Sequence, residues 1–219
     1  EMKSERFLVV WNDLCQIQGA DASKIALRLK ESNEVLLAPP LLNSRYEAAA
    51  VVKNPVLVKG TVKIVPTTSL REGLDTLYPH DYVGLYHRES FLSVDGFDPS
   101  ISSSWVQLLD FGFRCRLQGK LIKTTQAFKL ICDTEVPTED QTAHVDVNRF
   151  WLKNIAPVFH SGAAHLPWRR FLSYLLRAGE NPFEAWKEFK EIREWVSLNR
   201  FRFLSDAKQI IDEWENPEL

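Results

Sequence analysis

Three aspartates in the stretch Gly84–Ile122 are of a type that can take part in proton transfer. Asp95 and Asp98 bound an Asp-Gly-Phe-Asp turn, and Asp110 lies in the amphipathic helix predicted after it. A carboxylate placed against a hydroxyl group accepts its proton and makes the oxygen a better nucleophile. Plainer interpretations stay open: Asp95 is a turn residue that tolerates a left-handed backbone, and Asp110 forms a surface ion pair with Arg114, worth about 0.3 to 0.5 kcal/mol.

The order of local signals around these aspartates is more informative than any one of them. An apolar segment with Gly84 leads into a short helix, the turn, a polar loop, an amphipathic helix and a strand led by Gly119. This order resembles the acceptor half of family 2 glycosyltransferases of the GT-A fold. In that family a Gly-Gly-Phe-Asp turn precedes a helix that opens Glu-Asp-x-Asp and continues to an Arg and a Gly. The positions here are Gln107-Leu108-Leu109-Asp110, Arg114 and Gly119, and the resemblance covers residues 4–133.

The resemblance implies transfer of a sugar from a nucleotide-diphospho-sugar donor to a glycan or lipid-linked acceptor, as in bacterial cell-surface glycans. It makes Asp110, Asp95 and Asp98 the candidate catalytic residues, near the acceptor. The family's own base position is occupied by Leu108, which cannot accept a proton. Three hypotheses therefore remain: a working glycosyltransferase, a catalytically inactive relative that serves as a binding or scaffold module, and an unrelated α/β structural protein that only mimics the spacing.

A divalent-metal site is the second implication of the resemblance. The predicted strand Arg6–Trp11 ends in Asn12-Asp13, where the family carries an Asp-x-Asp motif. Asp13 is therefore the candidate ligand of Mn²⁺ or Mg²⁺ and of the bound donor, and Asn12 a weaker supplement, because such cations prefer oxygen ligands. The alternative is a turn after the strand, which both residue types favour. In the family, a nucleotide-binding βαβ portion precedes this motif.

Composition and motifs argue against several other classes of function. The chain has 27 Lys plus Arg against 29 Asp plus Glu, so no net field attracts nucleic acid. The glycines form neither a P-loop nor a dinucleotide fingerprint, the histidines form no HExxH motif, and Ser102-Ser103-Ser104 lacks a nucleophile elbow.

The cysteines and the apolar runs bear on compartment. Cys15, Cys115 and Cys132 form no CxxC pair, which predicts buried free thiols in a reducing compartment and neither a zinc site nor a disulfide. The chain contains no apolar run of about 18 to 20 residues and no signal-peptide pattern. We therefore expect a cytoplasmic protein, with the inner membrane face as an alternative position.

Two regions are predicted to carry these residues. Alternating strand and helix patterns predict an α/β domain over residues 1–135, which the resemblance makes the latter part of a GT-A-like mixed sheet with flanking helices. A polar linker, Thr134–Asp146, separates it from a tryptophan-rich α-helical domain over residues 146–219. The basic amphipathic segment Trp168–Arg177 suits a membrane surface or internal packing, and these helices are also candidates for binding a protein partner.

Overall fold

The chain has a mixed α/β fold, as predicted. The computed structural model describes residues 7–10, 15–21, 23–25, 27, 34–58, 61–142, 144–179 and 181–214. The described residues form two compact units: the first from Glu1–Gly96, Lys120–Asp140 and Trp214–Leu219, the second from Phe97–Gly119 and Gln141–Glu213. The segment Phe97–Gly119 thus belongs to the second unit, although the sequence pattern assigned it to the α/β domain.

The first unit contains a mixed sheet, consistent with the predicted sheet type. Its strands are β1 (Phe7–Val10), β2 (Cys15–Gln18), β3 (Leu36–Ala38), β4 (Leu41–Leu42), β5 (Val52–Val58), β6 (Thr61–Thr67), β7 (Gly84–His87), β8 (Ile122–Thr124) and β9 (Lys129–Cys132). One sheet has the order β1-β7-β3-β8, with β1 and β3 antiparallel to β7 and β8 parallel to β3. A second has the order β2-β9-β4, and β5 and β6 form a hairpin.

Continuous apolar sequence explains why β3 is central. All three of its residues are buried, which fits a strand that pairs on both edges and is covered on both faces. Leu37 packs with Leu85 of β7 and with Phe128. Helix α1 (Arg88–Ser93) follows β7 directly, and the side chain of His87 caps it by accepting a hydrogen bond from the Ser90 N–H.

The prediction of unpaired cysteines was wrong. Cys15 of β2 and Cys132 of β9 face each other in the antiparallel register and form a disulfide, while Cys115 is free and buried. The two cysteines are 117 residues apart, so only the pairing of β2 with β9 brings them together. Disulfides persist in oxidising compartments, whereas the spacing of the cysteines had suggested a reducing one.

The second unit consists of helices and one hairpin. Its elements are α2 (Ser104–Leu117), α3 (Asp146–Phe150), which continues as a π-helical turn (Trp151–Ile155), β10 (Val158–His160), β11 (Ala163–His165), α4 (Arg170–Ala178), α5 (Pro182–Asn199) and α6 (Ala207–Asp212). Asn181 caps α5 and Pro182 occupies its first turn, a pattern typical of a helix start. The prediction that this region is wholly helical missed the hairpin, which turns at Ser161-Gly162, where both residues have positive φ.

Helix α2 forms the centre of the second unit's core. Phe111 and Phe113 are fully buried, and the Phe113 ring packs edge to face on Phe150 of α3. The side-chain oxygen of Ser103 caps the helix by accepting from the Val106 N–H. Among the described residues, none of the helices is both long enough and apolar enough to pass through a bilayer.

The disulfide gives the first testable prediction. Alkylation of the denatured, unreduced protein should label one thiol, Cys115, and prior reduction should raise the number to three. The paired variant Cys15→Ala/Cys132→Ala should lose about 4 to 5 kcal/mol of unfolding free energy, because a long loop is no longer closed in the unfolded chain. Intact mass and urea unfolding measure both. Three labelled thiols without reduction would contradict the pairing.

Candidate functional site

The Asp95-Gly96 turn lies at the end of α1 in the first unit. Both residues have a left-handed backbone, with φ of 63° and 57°. The Gly96 N–H donates to the Phe91 carbonyl at 3.0 Å, and an added Cβ at Gly96 would lie 2.9 Å from the Phe91 ring. Position 96 therefore requires glycine. Asp95 is exposed, and its backbone fits the turn interpretation because aspartate tolerates this conformation better than most residues.

The other two predicted catalytic residues, Asp98 and Asp110, lie together in the second unit. Both are buried, with 8% and 0% of their surface exposed. Between them lies the buried ammonium of Lys153, with Nζ 2.7 Å from Asp98 Oδ2 and 3.7 Å from Asp110 Oδ2. We call Asp98, Lys153 and Asp110 the Lys153 bridge. Sequence analysis did not identify Lys153, which lies in the π-helical turn, far along the chain from both aspartates.

Asp110 is held from two further directions. The Arg114 Nε donates to Oδ2 at 2.7 Å, and the Asn154 Nδ2 donates to Oδ1 at 2.7 Å. The predicted pair of Asp110 with Arg114 is thus present, but the prediction of a surface pair was wrong, because the Arg114 side chain is 1% exposed. In a buried site, the loss of one partner leaves the other charged and uncompensated, which costs far more than a surface pair contributes.

The surroundings of Asp98 stabilise its ionised form. Asp98 accepts from the Ser100 N–H at 2.9 Å, and Arg149 Nε lies 3.4 Å from Oδ2. Burial by itself would raise the pKa of Asp98, but the Lys153 ammonium, the hydrogen bonds and Arg149 together outweigh it and hold that pKa well below its usual value. Arg149 also bonds to Glu188 and Glu191 of α5.

The Lys153 bridge is suited to holding structure and poorly suited to removing a proton. A general base works best with a pKa near the operating pH, and the pKa of Asp98 is shifted the other way. Leu108, at the family's base position, is buried with 2% exposure. Of the three predicted catalytic residues, Asp95 is the exposed one.

The predicted metal ligands Asn12 and Asp13 lie outside the described residues. Within the described ranges, no group of three or more His, Cys, Asp or Glu side chains could hold a metal ion. The metal prediction therefore rests on the resemblance of the Asn12-Asp13 segment alone.

Sequence analysis also missed a second buried polar cluster, which lies in the first unit. Glu139, from the predicted linker, accepts from Lys53 Nζ at 3.0 Å and from the Tyr78 hydroxyl at 3.2 Å, and His80 Nδ1 lies 3.4 Å from its other oxygen. Burial raises the pKa of Glu139, but His80 and Lys53 lower it by more, so the net shift is downward. Because the predicted linker is polar, its sequence gave no indication that Glu139 would be anchored by buried side chains.

The turn generates a prediction with a built-in control. Gly73 also has a left-handed backbone, with φ of 76°, but an added Cβ there meets nothing within 4 Å. Gly73→Ala should therefore lower the unfolding free energy by about 1 kcal/mol, the conformational cost alone. Gly96→Ala should cost about 2 to 4 kcal/mol, because the methyl group also overlaps the Phe91 ring. Equal losses in urea unfolding would show that the Phe91 contact is unimportant.

The Lys153 bridge predicts a pH-dependent stability. Asp98→Asn should lower the unfolding free energy by about 3 to 5 kcal/mol at pH 7, because the charge of Lys153 loses its nearest partner. The lowered pKa of Asp98 means that its stabilisation is complete above about pH 4 and is lost as the pH falls further. The difference in unfolding free energy between the wild type and Asp98→Asn, measured by urea unfolding, should therefore be smaller at pH 3 than at pH 7.

Asp133→Asn is the matched control for this prediction. Asp133 is an exposed aspartate in the first unit, and its substitution should change the unfolding free energy by less than about 0.5 kcal/mol. An Asp98→Asn loss no larger than that of the control, or a difference independent of pH, would contradict the structural role of the bridge.

Comparison with known proteins identifies no family. No protein-family model matches the chain, and no curated protein matches its sequence. Among solved structures, the crystal structure of GalNAc-T7 with UDP, GalNAc and Mn²⁺ is similar, with a TM-score of 0.49 and 12% sequence identity. The match covers 89% of this chain and 40% of that chain, so this chain spans less than half the length of GalNAc-T7. At that TM-score the likeness establishes neither family nor activity.

Proposed function

We propose that the chain is a glycosyltransferase-like protein that transfers a sugar from a nucleotide-diphospho-sugar to a glycan or lipid-linked acceptor. The observation that carries the proposal is the left-handed pair Asp95-Gly96. The resemblance rests on a turn in which the family has two glycines, and both positions here have the backbone conformation that favours glycine. A chance similarity of sequence would not require a left-handed backbone at both positions.

The elements around the turn support the same proposal. Strand β7, helix α1, the turn, helix α2 and strand β8 follow one another in the order that the resemblance implies. Strands β7 and β8 lie in one sheet, on opposite edges of β3. These elements correspond to the acceptor half of the family.

Within this proposal the three aspartates have different roles. Asp95 is the candidate base, because it is an exposed residue and lies at the turn. Asp98 and Asp110 act as positioning residues through Lys153. Asn12 and Asp13 would hold the Mn²⁺ or Mg²⁺ ion, which neutralises charge on the leaving diphosphate.

A second candidate is a catalytically inactive relative that serves as a binding or scaffold module. The specific observation in its favour is that Asp98 and Asp110 are both buried in ion pairs, while Leu108 fills the base position. Under this hypothesis α2 persists because it forms the centre of the second unit's core.

Nucleotide binding and turnover separate the two candidates. UDP or GDP with Mn²⁺ should raise the thermal midpoint by about 5 to 10 °C at a hundredfold excess over Kd, because the ligand binds the native state. Turnover is followed as nucleotide release from a panel of nucleotide sugars with acceptor mixtures. Asp95→Asn should abolish most turnover with the midpoint shift unchanged, and the exposed Asp133→Asn should leave both unchanged.

Each outcome has a distinct meaning. Binding with turnover that Asp95→Asn removes supports the enzyme. Binding with no turnover for any sugar supports the inactive module. The absence of a midpoint shift with every nucleotide would contradict the glycosyltransferase proposal for this protein.

A further inference from the structure

Helix α4 has two apolar faces, and only one is covered within its unit. On the inner face, Phe171 packs edge to face against Trp186 of α5, and Tyr174 is buried near Phe189. On the outer face, Leu172 and Leu176 are 67% and 87% exposed. They are four residues apart and so lie on the same side of the helix. A helix that packs with one face normally presents polar residues on the other, so these leucines require an explanation.

Aromatic side chains lie at the ends of this helix and its neighbour. Trp168, just before α4, stacks on Trp186 of α5 with ring centroids 5.2 Å apart, and each of the two is between two fifths and half exposed. Phe183, in the first turn of α5, is also exposed. Tryptophan suits a boundary where one end of the ring is apolar and the other is hydrated.

The charged residues around helix α4 in the sequence are all basic. Residues 163–179 contain Arg169, Arg170, Arg177 and His165 and no acidic residue, although the chain as a whole has a net charge of −2. Arg169 and Arg177 are exposed. Long basic side chains can keep their charge in water while their stems lie along apolar surface. Arg169 precedes Leu172 by three residues and so lies on the same side of the helix, where its charge would attract an anionic surface.

We propose that the outer face of α4, defined by Leu172 and Leu176 with Arg169, binds an anionic lipid bilayer. Exposed leucines, neighbouring tryptophan and a segment whose charged residues are all basic are the composition of helices that lie in the membrane interface. The helix has nine residues, so the association is weak and reversible. This proposal does not depend on glycosyl transfer, because none of its residues belongs to the Lys153 bridge or to the turn.

Vesicle flotation tests the proposal. The intact protein should float with vesicles of equal phosphatidylglycerol and phosphatidylcholine, and binding should fall at least fivefold with phosphatidylcholine alone or at high salt. Leu172→Ser/Leu176→Ser should weaken binding about tenfold or more, because two apolar side chains no longer enter the interface. Arg169→Glu should weaken binding to the anionic vesicles and have no effect on any residual binding to neutral ones.

A matched control tests whether the loss of any two exposed leucines weakens vesicle binding. Leu70→Ser/Leu92→Ser removes two leucines of the first unit that are 53% and 56% exposed, and it should leave binding unchanged. All four leucines are exposed, and an unchanged thermal midpoint will verify that the variants fold.

Three results would overturn the proposal. The first is equal binding of the wild type and the Leu172→Ser/Leu176→Ser variant, and the second is no binding of the wild type to anionic vesicles. The third is a wild-type dimer in sedimentation velocity that this variant dissociates, which would make the face an interface between two copies of the chain.

Discussion

The buried ammonium of Lys153 is the interaction on which the second unit depends. Two carboxylates, Asp98 and Asp110, and a lysine lose their hydration together, which is tolerable only because each charge has a partner within hydrogen-bonding or ion-pairing distance. The ammonium also lies 4.7 Å from the centroid of the Trp195 ring. One side chain thereby ties the end of the turn, helix α2 and helix α5 to the π-helical turn. This explains why Phe97–Gly119 belongs with the C-terminal helices.

The need to balance the charge of buried Lys153 gives Asp98 and Asp110 a structural role that is independent of catalysis. A carboxylate that must stay charged to balance a buried lysine would be kept for stability even in a protein without catalysis. The presence of Asp98 and Asp110 is therefore weak evidence of activity. Exposed Asp95, whose left-handed backbone adds a small conformational cost, is the more informative residue for the chemistry.

Features encoded by neighbouring residues were predictable from the sequence. The helix around Asp110, the cap at Asn181 and the i,i+4 pair of Asp110 with Arg114 follow from local spacing. Features that join distant segments were not: no local pattern pairs Cys15 with Cys132, brings Lys153 to Asp98, or anchors Glu139 beside Lys53. Burial was equally unpredictable, because an i,i+4 pair such as Asp110 with Arg114 has the same sequence pattern on a surface and in a core.

If Asp98 is a structural carboxylate and not a base, its side chain should stay ionised well below neutral pH, which ¹³C NMR titration of the carboxyl group measures. The resonance can be assigned by its loss in Asp98→Asn. We expect the carboxyl chemical shift to stay at its ionised value from pH 7 down to pH 3, because Lys153 and Arg149 stabilise the charge. A titration midpoint at or above pH 4 would contradict it, and a midpoint near neutrality would restore Asp98 as a candidate base.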